Sequence, residues 1–295
     1  MKTIDYVYRF DPKNPSAKQL PQDAEAARKN LEEGNRMFSK WMESCRTGVM
    51  SDGEPRYVVP CNGLEVGMRR SQGEIPPQTP FAIVVGCSDA RVPIEMLFGQ
   101  GFNDLFVIRV AGNVLGDVCM GSIDFAVTAL RESVRVVVVL GHSGCGAVSG
   151  AVDAYLNPVK FWSRSMSPNL RSIVERIFVA VREAANGLNE VWGENAQSIP
   201  GYREALIESA VSINAAHAAF DLRQEIERDG HWEIEVVYGV HNIRNHQVCM
   251  PVDPNSPRDD GNVRLAVAPK NPNDFRALAI EMAKLLQGKA IDSGH

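Results

Sequence analysis

The chain has 295 residues, 44% of them hydrophobic and 23% charged, with a formal net charge of −5. That balance suits a soluble globular protein, and an acidic chain without a Lys/Arg run excludes a nucleic-acid footprint. No apolar stretch reaches the roughly 18 residues that a membrane span needs, and positions 1–20 hold no apolar segment of the signal-peptide kind. Neither nucleic acid nor membrane is therefore expected as a partner, and a cytoplasmic location is expected.

In chain order, Ala24, Ala26, Ala27, Leu31, Met37, Phe38 and Trp41 recur at helical spacing among charges, which predicts a helix over 21–44. Residues 48–80 are rich in Gly, Pro and polar side chains and read as a long loop with little regular structure. Two continuous apolar runs follow, Phe81-Ala82-Ile83-Val84-Val85 and Val136-Val137-Val138-Val139-Leu140. Neither alternates, as expected of parallel strands covered on both faces. Further strands are predicted at 105–110 and 234–240. Helices are predicted at 93–98, 121–132, 147–154, 170–185, 203–228 and 275–286. Strands alternating with helices over short connections give an α/β fold with a mainly parallel central sheet flanked by helices. One domain over 1–295 is expected, with an N-terminal helical arm (1–50), an α/β core that carries the chemistry (81–250) and a C-terminal helix (270–290).

Each apolar run delivers a short polar segment. The first ends in Cys87-Ser88-Asp89-Ala90-Arg91 and the second in His142-Ser143-Gly144-Cys145-Gly146. In an open α/β sheet, sites assemble where the carboxyl ends of strands meet, so two thiols and an imidazole should converge. That set suits zinc, and three protein ligands leave a fourth position free, the pattern of a catalytic rather than a structural site. About 55 positions separate Cys87 from His142, a gap no small zinc finger uses, and no fourth Cys or His follows closely. The six cysteines, at 45, 61, 87, 119, 145 and 249, form no disulfide framework; the other four read as packing thiols. Asp89 and Arg91 would be an ordinary surface ion pair elsewhere. Beside a metal, an arginine gripping the aspartate in bidentate fashion would hold it off the fourth position.

Cys-x-Asp-x-Arg followed by His-x-x-Cys-Gly resembles the signature of the β-class carbonic anhydrases. The segments Leu31–Phe38 and Phe98–Asn113 resemble two further blocks of that family, while Ala90 stands where serine is commoner and the stretch 156–202 is longer than usual. The resemblance implies one Zn2+ per chain on Cys87, His142 and Cys145, with Asp89 and Arg91 as a catalytic dyad gating the fourth position. It implies Gln100 as a substrate-binding amide and Gly144, with Gly146, as backbone approaching substrate closely. The implied reaction is reversible hydration of carbon dioxide to bicarbonate and a proton by a zinc-bound hydroxide, in a homodimer or higher homo-oligomer. Two alternatives fit the same residues. One is hydrolysis of carbonyl sulfide or carbon disulfide. The other is a non-catalytic zinc-stabilised scaffold subunit, against which Asp89 and Arg91 stand, since a structural site needs neither.

Overall fold

In chain order the fold runs β1 (Asp5–Arg9), α1 (Ala24–Thr47), β2 (Arg56–Pro60), β3 (Ala82–Gly86), α2 (Ile94–Leu97), β4 (Leu105–Arg109), α3 (Asp117–Ala129), β5 (Val136–His142), α4 (Gly146–Leu156), α5 (Pro168–Trp192), α6 (Tyr202–Arg228), β6 (Glu235–His241), β7 (Val248–Cys249), β8 (Ala266–Val267) and α7 (Pro272–Asp292). The computed structural model describes residues 4–10, 20–48, 56–61, 63, 75–159, 167–250 and 265–292. Among them, no helix is long and apolar enough to cross a membrane.

The main sheet has the order β4-β3-β5-β6-β7, with β8 paired to β6 beside β7. β4, β3, β5 and β6 are parallel, and only the two short strands β7 and β8 run against β6. The register sets Val85 opposite Val139 and Val139 opposite Tyr238. β3 and β5 are buried along their whole length, which is why their sequences show no polar face. Their side chains alternate between two cores. Ile83, Val85, Val137 and Val139 meet Ile123, Val148, Ile177, Leu206 and Leu278 from α3 to α7. Ala82, Val84, Val136, Val138 and Leu140 meet Leu31 and Phe38 of α1, Val59 of β2, and Leu97 and Phe98. Each such fully buried aliphatic side chain contributes roughly 1.5–3 kcal/mol.

α1 begins at Asp23, whose side chain accepts from the Ala26 amide at 2.8 Å, and ends at Gly48 in the left-handed region. It lies on its own sheet. Asn35, fully buried, donates from Nδ2 to the carbonyls of Leu97 and His246 and accepts from the Val248 amide. Glu32 accepts from the Leu265 amide. One face of the helix therefore reads the backbone of three separate segments, which fixes its seat more sharply than apolar contact alone.

The segment 48–80 departs from expectation. It contains β2, which pairs in parallel with β1, a strand 51 residues earlier by the pairing Asp5↔Arg56. Only Tyr57 and Val59 of β2 are buried, too short an alternation to signal a strand when its partner lies beyond a helix. β7 and β8, of two residues each, are also absent from the sequence reading. α3 starts at Asp117 rather than near 121, behind Gly116, and α5 continues to Trp192, well past 185. β5 runs on through His142, so the candidate ligand is itself a strand residue.

Gly34 of α1 tests how closely the helix is seated. A Cβ there would stand 1.8 Å from the Phe98 carbonyl oxygen. On helix propensity alone, Gly34→Ala would stabilise by roughly 1 kcal/mol. The neighbour is backbone and cannot swing away, so overpacking wins, at a cost of roughly 1–3 kcal/mol. The variant should melt at a lower temperature than the parent; an equal or higher Tm would show that α1 is not seated on the 98–100 turn.

Candidate metal centre

Cys87 follows the last residue of β3, His142 ends β5, and Cys145 stands at the N-cap of α4. Parallel pairing of β3 with β5 sets Gly86 opposite Leu140, so the chain beyond both strands emerges at one level. Gly144, at φ +63°, makes the turn between His142 and Cys145. The Cys87 and Cys145 sulfurs and a ring nitrogen of His142 all lie within 4.8 Å of one another, and all three residues are buried.

The donor set fits a soft divalent cation. His142 Nδ1 lies 3.1 Å from the Ser143 carbonyl oxygen; a carbonyl only accepts, so Nδ1 is a donor, and in the neutral ring that tautomer offers the Nε2 lone pair to a metal. That Nε2 is buried and has no hydrogen-bond partner among the described residues. Imidazole ligands of metals are oriented in this way, by a hydrogen bond at the other ring nitrogen. The thiols are already polarised. The hydrogen bond from Cys145 pushes the Cys87 thiol down, against the cost of burial, with help from His142 and backbone amides. The Gly112 amide donates to the Cys87 sulfur at 3.3 Å. Cys145 is pushed up by the same pairing and by burial. The two sulfurs are a coupled pair, and a metal held by both would displace the proton that the raised Cys145 thiol retains.

Arg91 grips Asp89 in bidentate fashion: Nε donates to Oδ1 at 2.9 Å and Nη2 to Oδ2 at 2.6 Å. This pairing holds the Asp89 carboxyl well below the usual carboxylate range. Oδ2 lies 3.9 Å from His142 Nε2, so a charged carboxylate borders the ligand cluster without entering it. Arg91 Nη2 also reaches the Gly144 carbonyl at 3.4 Å, joining the two ligand segments.

The structure thus brings together Cys87, Asp89, Arg91, His142, Gly144 and Cys145. Gly144 takes part differently from expectation, because its amide donates to Glu208 Oε1 at 3.3 Å. Gln100, 2% exposed, directs its amide nitrogen to the Phe98 carbonyl and Asn30 Oδ1 beneath α1. Four residues enter that the sequence reading had not singled out for the site. Arg109, at the end of β4, donates to the carbonyls of Cys87 and Asp89 and fixes the backbone of that segment. Asn214 and Glu208 come from α6, and Asn214 Nδ2 donates to the Gly112 carbonyl at 2.9 Å. His241 is the register partner of His142 and is fully buried. Burial, then His246 and His142, pushes it down to about 3, so it stays neutral at ordinary pH. A signal was present for Asn214, an amide in the mostly small and apolar Ser212–Ala219 stretch, whose other polar residues are Ser212 and His217. For Glu208, exposed in part and one acid among several, there was none.

A family model described as carbonic anhydrase matches residues 82–249. A carbonic anhydrase of Mycolicibacterium smegmatis is 40% identical over 134 residues, which are 44% of this chain and 60% of that protein. Carbonic anhydrase 2 of Mycobacterium tuberculosis is 49% identical over 77 residues, 26% of this chain and 36% of that protein. The chain therefore spans 60% and 36% of the length of these curated relatives, less than two thirds in both cases. Among solved structures, a β-carbonic anhydrase of Aspergillus fumigatus superposes with a TM-score of 0.48 at 20% identity, covering 70% of this chain and 84% of that one.

Two measurements follow from the electrostatics. Adding Zn2+ to metal-free protein at neutral pH should release protons, because Cys145 holds one that no thiolate ligand keeps. Titration calorimetry in buffers of different ionisation enthalpy reads this, and identical heats would contradict it. In the metal-free chain, Asp89 has a folded pKa below its unfolded value of about 3.9. Its contribution to stability is then full above that value and is lost as pH falls toward the depressed one. Asp89→Asn should lower Tm at neutral pH, with the gap to the parent closing under acid; a gap that widens would reverse the sign of the pairing.

Proposed function

This chain belongs to the β-class carbonic anhydrase family, and on that premise we propose that it hydrates carbon dioxide reversibly to bicarbonate and a proton, using one zinc ion held by Cys87, His142 and Cys145. The observation that carries the reading is the buried trio of ligand atoms within 4.8 Å, bordered by a clamped carboxylate 3.9 Å from His142 Nε2. Zinc, when bound, supplies Lewis acidity, lowering the pKa of a water at its open position.

The chain's own residues supply the rest. Asp89, ionised throughout the working range, is an acceptor aimed at the space beside the ligands, able to orient a water by hydrogen bonding. Arg91 neutralises it and fixes its direction, and the Gly144 carbonyl fixes Arg91 in turn. That grip holds the carboxylate toward Arg91; released from it, Asp89 would be available as a further ligand to an ion held by Cys87, His142 and Cys145. The Cys87 and Cys145 thiolates offset the charge of a divalent ion, so activity should rise above neutral pH. Assembly into a homodimer or larger is part of the proposal. It is supported by β4, a parallel strand at the sheet edge whose residues are only half covered, whereas parallel sheets are normally covered throughout.

Stopped-flow carbon dioxide hydration on zinc-verified protein tests the reading. Turnover should be fast and should rise between about pH 7 and about pH 8.5. No turnover at one zinc per chain would reject it and turn attention to sulfur analogues of the substrate. Arg91→Ala should keep its zinc and lose about 10²-fold or more in turnover, the scale for a misplaced catalytic group; near-normal turnover would remove the gating role of the dyad. Cys87→Ser should lose the metal, and full zinc occupancy in that variant would refute the ligand assignment.

A further inference from the structure

The metal cluster is assembled from two loops that no covalent feature holds together: the 87–91 segment after β3 and the 142–145 segment at the end of β5. One of these segments, and the turn at Gly112 that supports the other, are bonded to the same helix. Asn214 of α6 donates to the Gly112 carbonyl at 2.9 Å, in a buried contact. Gly112 in turn donates its own amide to the Cys87 sulfur at 3.3 Å. Six residues earlier on α6, Glu208 Oε1 accepts from the Gly144 amide at 3.3 Å. Both receiving residues are glycines at positive φ, +66° for Gly112 and +63° for Gly144. Such turns owe little to local steric preference and are held by their external partners.

Between the two anchors the helix lies directly against β5. A Cβ on Gly141, the residue before His142, would meet Val211 Cγ1 at 3.3 Å, Ala215 Cβ at 3.4 Å and the Val211 carbonyl oxygen at 3.4 Å. Glu208, Val211 and Ala215 follow one helical stripe, and Asn214 flanks it. The six-residue step from Glu208 to Asn214 spans about 9 Å of axis. One rigid element therefore touches the Gly112 turn beneath Cys87, the 142–145 segment and the strand that leads into it.

We propose that α6 is the register bar of the metal centre, with Glu208 and Asn214 as positioning residues that set the distance between the Cys87 half and the His142–Cys145 half. Neither residue touches a ligand atom; Asn214 fixes Gly112, whose amide reaches the Cys87 sulfur, and Glu208 fixes Gly144, the residue before Cys145. Glu208 acts against Arg91, because the two hold opposite ends of Gly144, by its amide and its carbonyl. The inference rests on the reading of Cys87, His142 and Cys145 as metal ligands. It goes beyond that reading by assigning a role to a helix outside the signature segments.

The test uses the full-length chain loaded with Co2+, read by its visible absorption and by the rate of metal loss to a chelator. Glu208→Ala and Asn214→Ala should each speed metal loss about tenfold or more, the usual scale for supports of a ligand, and should shift the cobalt bands. The Tm of the metal-free chain serves as a control for global damage. Glu208→Gln should keep the parent rate, since its amide oxygen still accepts from Gly144. Asn214→Asp, which keeps the volume and loses the donor, should behave like Asn214→Ala and stands in for it should that variant not fold. Rates within twofold of the parent and unshifted bands in folded Glu208→Ala and Asn214→Asp would overturn the proposal. A Glu208→Gln chain as fast as Glu208→Ala would overturn the hydrogen-bond role of Glu208. A parent that binds no cobalt would remove the ligand assignment itself and this inference with it, whereas tight parent binding alongside unaltered variants removes the inference alone.

Discussion

The parallel pairing of β3 with β5 is the constraint from which the site follows. Hydrogen bonds between these strands set Val85 beside Val139 and Gly86 beside Leu140, and everything beyond inherits that level. A slip of one residue would turn every side chain of one strand to the opposite face. It would also move Cys87 away from His142 by the same step. The apolar runs that fill the two cores therefore do more than exclude water: they fix the register on which three donor atoms meet.

Around that register the chain spends much of its charge on immobilising backbone. Arg109 binds the carbonyls of Cys87 and Asp89, Arg91 binds Asp89 and the Gly144 carbonyl, and Glu208 takes the Gly144 amide. Two guanidinium groups thus tie down the loop that carries Cys87 and Asp89. The same groups leave the donor atoms themselves unpaired or coupled to one another. A preorganised site of this kind needs little rearrangement when a cation arrives.

Much of this was legible in the sequence, for identifiable reasons. β3 and β5 announced themselves because strands buried on both faces have no polar positions. The convergence of Cys87, His142 and Cys145 was legible because they fall at the ends of those strands, where α/β folds build their sites. α1 was visible from its apolar stripe, but its seat was not, since Asn35 contacts the 97, 246 and 248 positions, far away in sequence. β2 was missed because a five-residue strand has meaning only beside β1. Glu208 and Gln100 illustrate one general limit: the sequence shows which groups are polar, whereas the partner each finds depends on packing between distant segments.

The two-sided sheet would give a metal bound at this cluster a role outside chemistry. Cys87 and Cys145 belong to the core beneath α3 to α7. His142 shares the strand parity of Val138 and Leu140, which face the core under α1. An ion bound by all three would be anchored from both sides of the sheet at once. Its binding energy would then couple two layers that could otherwise loosen separately, making their unfolding one event rather than two. The smaller layer, built on a single long helix, stands to gain the most from that linkage.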